Sequence, residues 1–463
     1  MPRNRAAFLP LLLPLGACSL APAYAPPHVT APAVFKEAPA GWAEAAPADA
    51  SARGRWWAMF NDPTLDDLEA RMDKASPTLA AAVARLDAAL AAARESRADL
   101  FPTVSVGGDV VRARNSATRP GAVAALDYTD VEVGGALAYE VDLWGRVRNA
   151  VRASKAQAQA STSDLESARL SLQAALAGAY FQLRGLDAQA ALLRQTVDAN
   201  SRALDLTTTR HEGGIASGLD VNRAQTVLSA ARAQISDVAR QRAIAEHAIA
   251  ALVGETASSF SIAPVDGLAQ APAIPPKSPS TLLQRRPDIA AAERRMFAAN
   301  AQIGVARAAF FPTITLGASG GWEATNGALF STPASFWGLG PLSAAVDLFD
   351  GGRRAARVKI SRAQYDEMAA DYRGTVLGAF RDVEDALAAT TYLAVQSKDS
   401  DDAAAAAQRT LDLALTRYHD GASDYLEVVV AQTSALDAQR AAIAIHAARL
   451  QSAVDIVRAL GGG

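Results

Sequence analysis

Two hydrophobic periods divide the chain. From Leu186 the seam positions are Leu186, Ala190, Leu193, Val197, Asn200 and Leu204, alternating steps of four and three residues. That spacing marks a helix packed along its length on another helix. The series resumes as Val221, Ala224, Leu228, Ala231, Ile235, Val238, Arg242, Ala245, Ile249 and Leu252. Shifted by 207 residues it returns as Val428, Ala431, Ala435, Ala438, Ala442, Ile445, Arg449, Ser452, Ile456 and Ala459, with an arginine at the same seam position. Alanine fills many of these positions, so the helices are expected to pack closely. Elsewhere the period is two. Thr129, Val131, Val133, Leu137, Tyr139 and Val141 alternate with Asp130, Glu132, Gly134, Ala136, Ala138 and Glu140, and Ile314, Leu316, Ala318 and Trp322 alternate with Thr313, Thr315, Gly317 and Ser319. Such stretches predict strands long enough to cross a bilayer, one face toward lipid and one toward water. A soluble sheet packed on the helices is the other reading.

The two periods occur twice, in the same order. LFPTVSVGG at 100–108 returns as FFPTITLGA at 310–318, DLWGR at 142–146 as DLFDGGR at 347–353, and RHEGGIASGLDVNRAQ at 210–225 as RYHDGASDYLEVVVAQ from Arg417. Arg146 to Arg210 and Arg353 to Arg417 both span 64 residues, about 96 Å if wholly helical. Residues 121–263 and 342–463 hold no proline, as long helices require. The predicted organisation is a first repeat over 61–263, with helices 62–100, strands 102–142 and helices 146–253. A proline-rich linker follows at 264–281. A second repeat covers 282–463, with helix 282–311, strands 312–347 and helices 353–460. Each repeat reads as a long coiled-coil plank, with short helices laid end to end matching one long helix.

The N-terminus changes the setting. Arg3 and Arg5 precede the apolar run AAFLPLLLPL, which ends in LGAC at the single cysteine, Cys18. Residues 1–17 read as an export signal. A lone cysteine forms no internal disulfide. The LGAC stretch resembles the bacterial lipobox, which implies cleavage before Cys18 and acylation of it; an incidental free thiol is the alternative. Ser19, after the cysteine, resembles the residue found in lipoproteins sent to the outer membrane. Residues 18–60, with six prolines among alanines, read as an extended tether. After residue 20 no apolar run is long enough for a transmembrane helix, so any membrane crossing falls to strands. The net charge of −3 gives no reason to expect nucleic acid.

Four strands cannot close a barrel, and hydrocarbon does not tolerate an open sheet edge. A spanning structure therefore needs strands from other copies; the residues alone say only that there is more than one. The chain resembles the TolC-like outer-membrane efflux channels, in the lipidated branch that serves resistance-nodulation-division pumps. WWAMFNDPTLDDL at 56–68, the duplicated motifs above, and LLQRRPDIAAAERRMFAANAQIGVARAAFFPTITLGASGG at 282–321 carry the resemblance. It implies a mixed α and β membrane protein, a homotrimer with a shared twelve-stranded β-barrel, and a periplasmic α-barrel. It also implies an equatorial region, docking to a periplasmic adaptor, and an inner-membrane pump. The implied function is passive export of small toxic compounds, with anchoring in outer-membrane lipid. The chain departs from the family at Val430, where an Asp is frequent.

The duplicated RHEGG and RYHDG points read as periplasmic turns, with Gly214 and Gly421 ending one helix and Ser217-x-x-Asp220 and Asp424-x-x-Glu427 opening the next. Asp220, Asp424 and Glu427 are candidate gate carboxylates as well as caps. Arg210, Arg417 and Tyr418 are candidate braces that hold neighbouring helices; capping the helix ends is the simpler role for the arginines. His28, His211, His247, His419 and His446 form no metal-spaced pair, and there is no phosphate loop or nucleophile elbow, so neither enzyme nor cofactor is expected. A protein-secretion channel on the same fold and a purely structural, periplasm-spanning lipoprotein are the competing functions.

Overall fold

A computed structural model describes residues 19–27, 35–37, 54–118, 120, 124–272, 286–325, 329, 335–340 and 342–462. Cys18 and Arg285 lie outside the described residues. A 3-10 turn at Trp56–Phe60 precedes α1 (Pro63–Ala75), α2 (Pro77–Ala98), β1 (Thr103–Asn115), β2 (Leu126–Glu140), α3 (Arg146–Glu212) and α4 (Gly218–Leu252). Then come α5 (Pro287–Ala308), β3 (Thr313–Ala324), β4 (Phe336–Leu339), β5 (Leu342–Ala345), α6 (Arg353–His419) and α7 (Tyr425–Ala459). The two long helices have 67 residues each and the helices after them 35 each. The chain forms two compact units.

The first unit holds residues 1–27, 86–161 and 291–372. Its sheet runs β1-β2-β3-β4 with β5 also on β3, all antiparallel. Residues paired directly across antiparallel strands share a face. Val104, Leu137 and Ala318 stand in one row and Val110, Val131 and Ala324 in another, on the same face as Trp322 and Phe336. The opposite face carries the rows Ser105–Ala136–Ser319 and Asp109–Glu132–Glu323. One face is thus apolar and the other polar or acidic. The expected fourth strand is present as two four-residue pieces, β4 and β5, that lie on β3 in one continuous register: Leu339 pairs with Ser319 and Leu342 with Leu316. Gly340-Pro341 separates them in sequence, and proline has no N–H to give a ladder.

The DLWGR and DLFDGGR motifs are strand-to-helix turns. Asp142 accepts from the N–H groups of Val147 and Arg148, and Asp350 from those of Gly352 and Arg354. Trp144 stacks on Phe311 at 4.7 Å and donates Nε1–H to the carbonyl of Pro312, tying the two repeats at the base of the sheet.

The tether reading also needs correction. Residues 19–24 are docked: Ser19 Oγ donates to Asn149 Oδ1, Asn300 Nδ2 to the Pro22 carbonyl, and Tyr24 Oη to Glu293 Oε1 at 2.6 Å. Gly304 makes room for this segment, because a Cβ there would lie 2.8 Å from the Ala21 nitrogen.

The second unit holds residues 28–85, 162–290 and 373–463. Trp56, Trp57 and Phe60, at the end of the expected tether, are buried in its main core with Leu65, Met72, Tyr180 and Phe181. Phe35 is buried in a second cluster against Val383, Leu387 and Ile456, while the Lys36 and Glu37 N–H groups both donate to the Glu384 carboxylate. Burying each large side chain contributes roughly 1.5–3 kcal/mol. The helices expected over 62–100 are α1 and α2, parted at Ser76, which Pro77 forces into an extended conformation (φ −63°, ψ 120°). The helix expected over 282–311 runs 287–308 in the described residues.

Seam arginine Arg242 closes a buried ion network. Its Nε donates to Asp187 Oδ1 at 2.6 Å, and Arg184 Nη1 donates to Asp187 Oδ2 at 3.0 Å. The same arginines bond the carbonyls of Ile262 and Ala263, so the network straps the chain after α4 onto the helices. At the matching seam position Arg449 Nη1 donates to the hydroxyl of Ser397 at 3.3 Å. Arg242 also pairs with Glu246 at 3.3 Å, and positions 394 and 453, equivalent to Asp187 and Glu246, are alanines.

Candidate functional site: the paired helix turns

The two duplicated turns are built alike. Gly214 and Gly421 have φ of 75° and 73°, a left-handed conformation that glycine adopts without a Cβ penalty. Ile215 N–H donates to the Arg210 carbonyl and Gly214 N–H to that of His211. Ala422 and Gly421 make the matching bonds to Arg417 and Tyr418. Each α3 and α6 C-terminus thereby satisfies its last carbonyls before the chain reverses. The next helices are then capped: Ser217 Oγ accepts from Asp220 N–H, and Asp424 Oδ1 from Glu427 N–H.

The turns meet within one chain. Arg210 Nη1 donates to the Tyr418 carbonyl at 2.8 Å, and its guanidinium lies over the Tyr418 ring, 4.8 Å from the centroid. Tyr418 and Tyr425 pack edge to face at 5.2 Å. Both are buried with Ala224, Ala414, Val428 and Ala431, so this cluster joins α4, α6 and α7. Burial, the neighbouring Tyr418 and then Asp220 push the Tyr425 phenol up to about 12.

The candidate residues fall into two groups. Arg210 and Tyr418 form the contact between turns. Arg417 reaches inside its own turn, pairing with Glu427 Oε1 at 2.8 Å across an exposed surface. Asp220 completes a capping box with Ser217 and pairs with Arg223 at 3.3 Å. Asp424 caps α7. Cys18 lies outside the described residues. Sequence reasoning passed over Tyr425 and Arg223. The signal for Tyr425 was available: with the 207-residue offset, Tyr418 and Tyr425 stand where the first turn has His211 and Gly218. Among residues 210–223 and 417–427, five carboxylates stand against three guanidiniums, which leaves the paired turns net acidic. No group of three metal-binding side chains occurs among the described residues.

A chain with duplicated long helices, a sheet with one apolar exposed face, and a paired acidic turn at the helix ends has the features of an outer-membrane efflux duct. The family model for outer membrane efflux proteins matches residues 71–255 and again 278–462, and the chain belongs to that family. It is 34% identical over 457 residues to the pyoverdine export outer membrane protein OpmQ of Pseudomonas aeruginosa, covering 97% of this chain and 94% of that one. To the toluene efflux pump outer membrane protein TtgC of Pseudomonas putida it is 35% identical, covering 97% and 93%. A solved membrane protein from Pseudomonas aeruginosa superposes with a TM-score of 0.87 at 32% identity, covering 96% of this chain and all of that one. The family and mixed helical and strand fold expected from the motifs are met.

Proposed function

We propose that three copies assemble into the outer-membrane channel of a tripartite pump, a passive duct for small toxic compounds that works with a periplasmic adaptor and an inner-membrane pump. The observation that carries the assembly is the sheet. Its outward residues are left bare, with Val104 and Val106 74% and 81% exposed, while Asp109, Glu132 and Glu323 form the opposite face. A bare apolar face of this kind needs a covering, and lipid suits it. The strand β1 at one edge and β4 with β5 at the other have backbone groups to offer. Pairing these edges between copies leaves no open edge in hydrocarbon. Three copies give twelve strand positions, counting β4 and β5 as one.

In this reading Cys18 carries the lipid anchor, and residues 19–24 hold the chain next to it on α5. The paired turns act as the periplasmic gate. Arg210 and Tyr418 brace the two turns, Arg417 and Glu427 stiffen the second, and Asp220, Asp424 and Glu427 from three copies surround the axis with negative charge. No helix among the described residues is long and apolar enough to cross a membrane.

Mass measurement of the detergent-extracted protein, followed by single-channel recording in planar bilayers, tests the assembly. A trimer that conducts is expected; a conducting monomer or a non-conducting oligomer overturns it. Metabolic labelling with palmitate tests the anchor: label should vanish in Cys18→Ala, and unchanged label excludes Cys18.

A further inference from the structure

α7 differs from α4 at one seam position in a way that makes room. α4 has buried Leu228 where α7, 207 residues later, has Ala435. Beside Ala435 a cavity of about 250 Å³ lies between α3, α6 and α7. Gln195, Asn200, Gln408, Gln432 and Gln439 line it, and no charged side chain does. Gln439 Nε2 donates to Gln408 Oε1 at 2.8 Å. Two amide atoms are left over. Asn200, 3% exposed, has its Nδ2 buried without a hydrogen-bond partner, and Gln432, 8% exposed, has its Oε1 in the same state. Asn200 also belongs to the heptad seam, where a leucine would fill the space and leave no donor.

Asn200 and Gln432 both line the cavity, and a buried N–H and a buried C=O need a partner. The partner must accept from Asn200 and donate to Gln432. It must be neutral, because the walls carry no charge to balance an ion. Water meets all three conditions, and a water needs only about 15 Å³ of such space and two to four polar partners. We propose that this slot is a binding site for neutral hydrogen-bonding guests, held by a water cluster that bridges Asn200 Nδ2 on α3 to Gln432 Oε1 on α7. The site has a mechanical consequence. A leucine seam interlocks in one register, as at Leu228. A hydrated amide seam exchanges partners through water, so α7 can shift against α3 without stranding a polar group. The inference does not depend on what the channel exports.

A double-mutant cycle in the full-length protein in detergent tests it. Asn200→Leu and Gln432→Leu each remove one end of the bridge and strand the other. Each should lower the apparent melting temperature by several degrees, and the double variant should recover most of the loss. If both single variants raise the melting temperature and the effects add, the slot is dry and the proposal fails. Should a variant not assemble, a high-resolution map of the wild-type protein decides. Ordered water within hydrogen-bond distance of both amide atoms supports the bridge. An empty slot, or Asn200 and Gln432 each bonded directly to protein groups, overturns it.

Discussion

The two helix turns have the same backbone and different contents. Both reverse through a left-handed glycine and both reopen with a side-chain cap. The first turn places His211 and Gly218 at the positions where the second has Tyr418 and Tyr425. His211 stays exposed and bonds the Ala216 carbonyl of its own turn, whereas the two tyrosines are buried and hold α4, α6 and α7 together. The first turn gives the shared cluster Ala224 and the Arg210 bond and little else. Reversal of a helix therefore needs only the glycine and the cap. Adhesion between the turns is a separate property, carried by what fills the duplicated positions, and here it sits almost wholly on the second turn.

The sharpest way to break that asymmetry is to empty the second turn. Tyr425→Ala deletes a fully buried ring, and a change of this kind costs about 3–5 kcal/mol. Its positional partner, Gly218→Ala, adds a Cβ at ordinary contact distance from His211 and should fall within about 0.5 kcal/mol. Hydrogen exchange at the two turns, with thermal unfolding in detergent, measures both; equal effects would remove the distinction. Tyr418→Phe runs the other way. The Tyr418 hydroxyl is buried with no hydrogen-bond partner, so removing it should leave stability unchanged or higher. Alkaline pH probes the same cluster. The Tyr425 phenol is raised in the folded state, so its contribution is complete below the usual value near 10 and is lost as pH rises toward about 12. Tyr425→Phe should abolish that alkaline loss.

The two arginines give a smaller contrast. Arg210 combines a bond to a carbonyl with stacking on Tyr418, and Arg210→Ala should cost about 1–2 kcal/mol. Arg417 pairs with Glu427 on the surface, where such pairs contribute about 0–1 kcal/mol. If the contact between turns holds the gate, resting conductance should rise clearly in Arg210→Ala and little in Arg417→Ala. Equal rises would assign the brace to the charge pair instead.

Much of this was legible in the sequence, for physical reasons that vary by element. Gly214, Gly421, Ser217 and Asp424 mark the turns because left-handed backbone and unpaired helix N–H groups select particular residues locally. The lengths of α3 and α6 follow from the proline-free tracts. Pro77 is a local signal as well, and it parts α1 from α2. What could not be read was pairing across the chain. Arg242 stands out as a polar seam residue, yet nothing near it in sequence names Asp187. Ser19 and Asn149, or Tyr24 and Glu293, are separated by 130 and 269 positions, so the docking of the N-terminal segment depends on folds of the chain that no local pattern encodes. The roles of Arg210 and Arg417 were indistinguishable before the geometry separated a contact between turns from one within a turn.

The smallest expected effect concerns charge. The first turn ties Asp220 to Ser217 and Arg223, and that carboxylate is mostly covered. The second turn leaves Glu427 exposed beside Arg417 and uses Asp424 as a cap. Asp424→Asn combined with Glu427→Gln should hardly move stability, since Asn caps a helix as well as Asp and the surface pair contributes little. The field should change. With three copies the double variant removes six negative charges near one axis, while Asp220→Asn removes three and leaves the Arg223 charges unbalanced. Charges around a water-filled opening attract cations over about 10 Å at 0.1 M salt and over about 30 Å at 0.01 M. Cation preference should therefore fall in the double variant at low salt and differ little from wild type at 1 M, whereas Asp220→Asn, which removes half as many charges, should lower it less. A double variant with wild-type selectivity at low salt would place the selective charge outside the second turn.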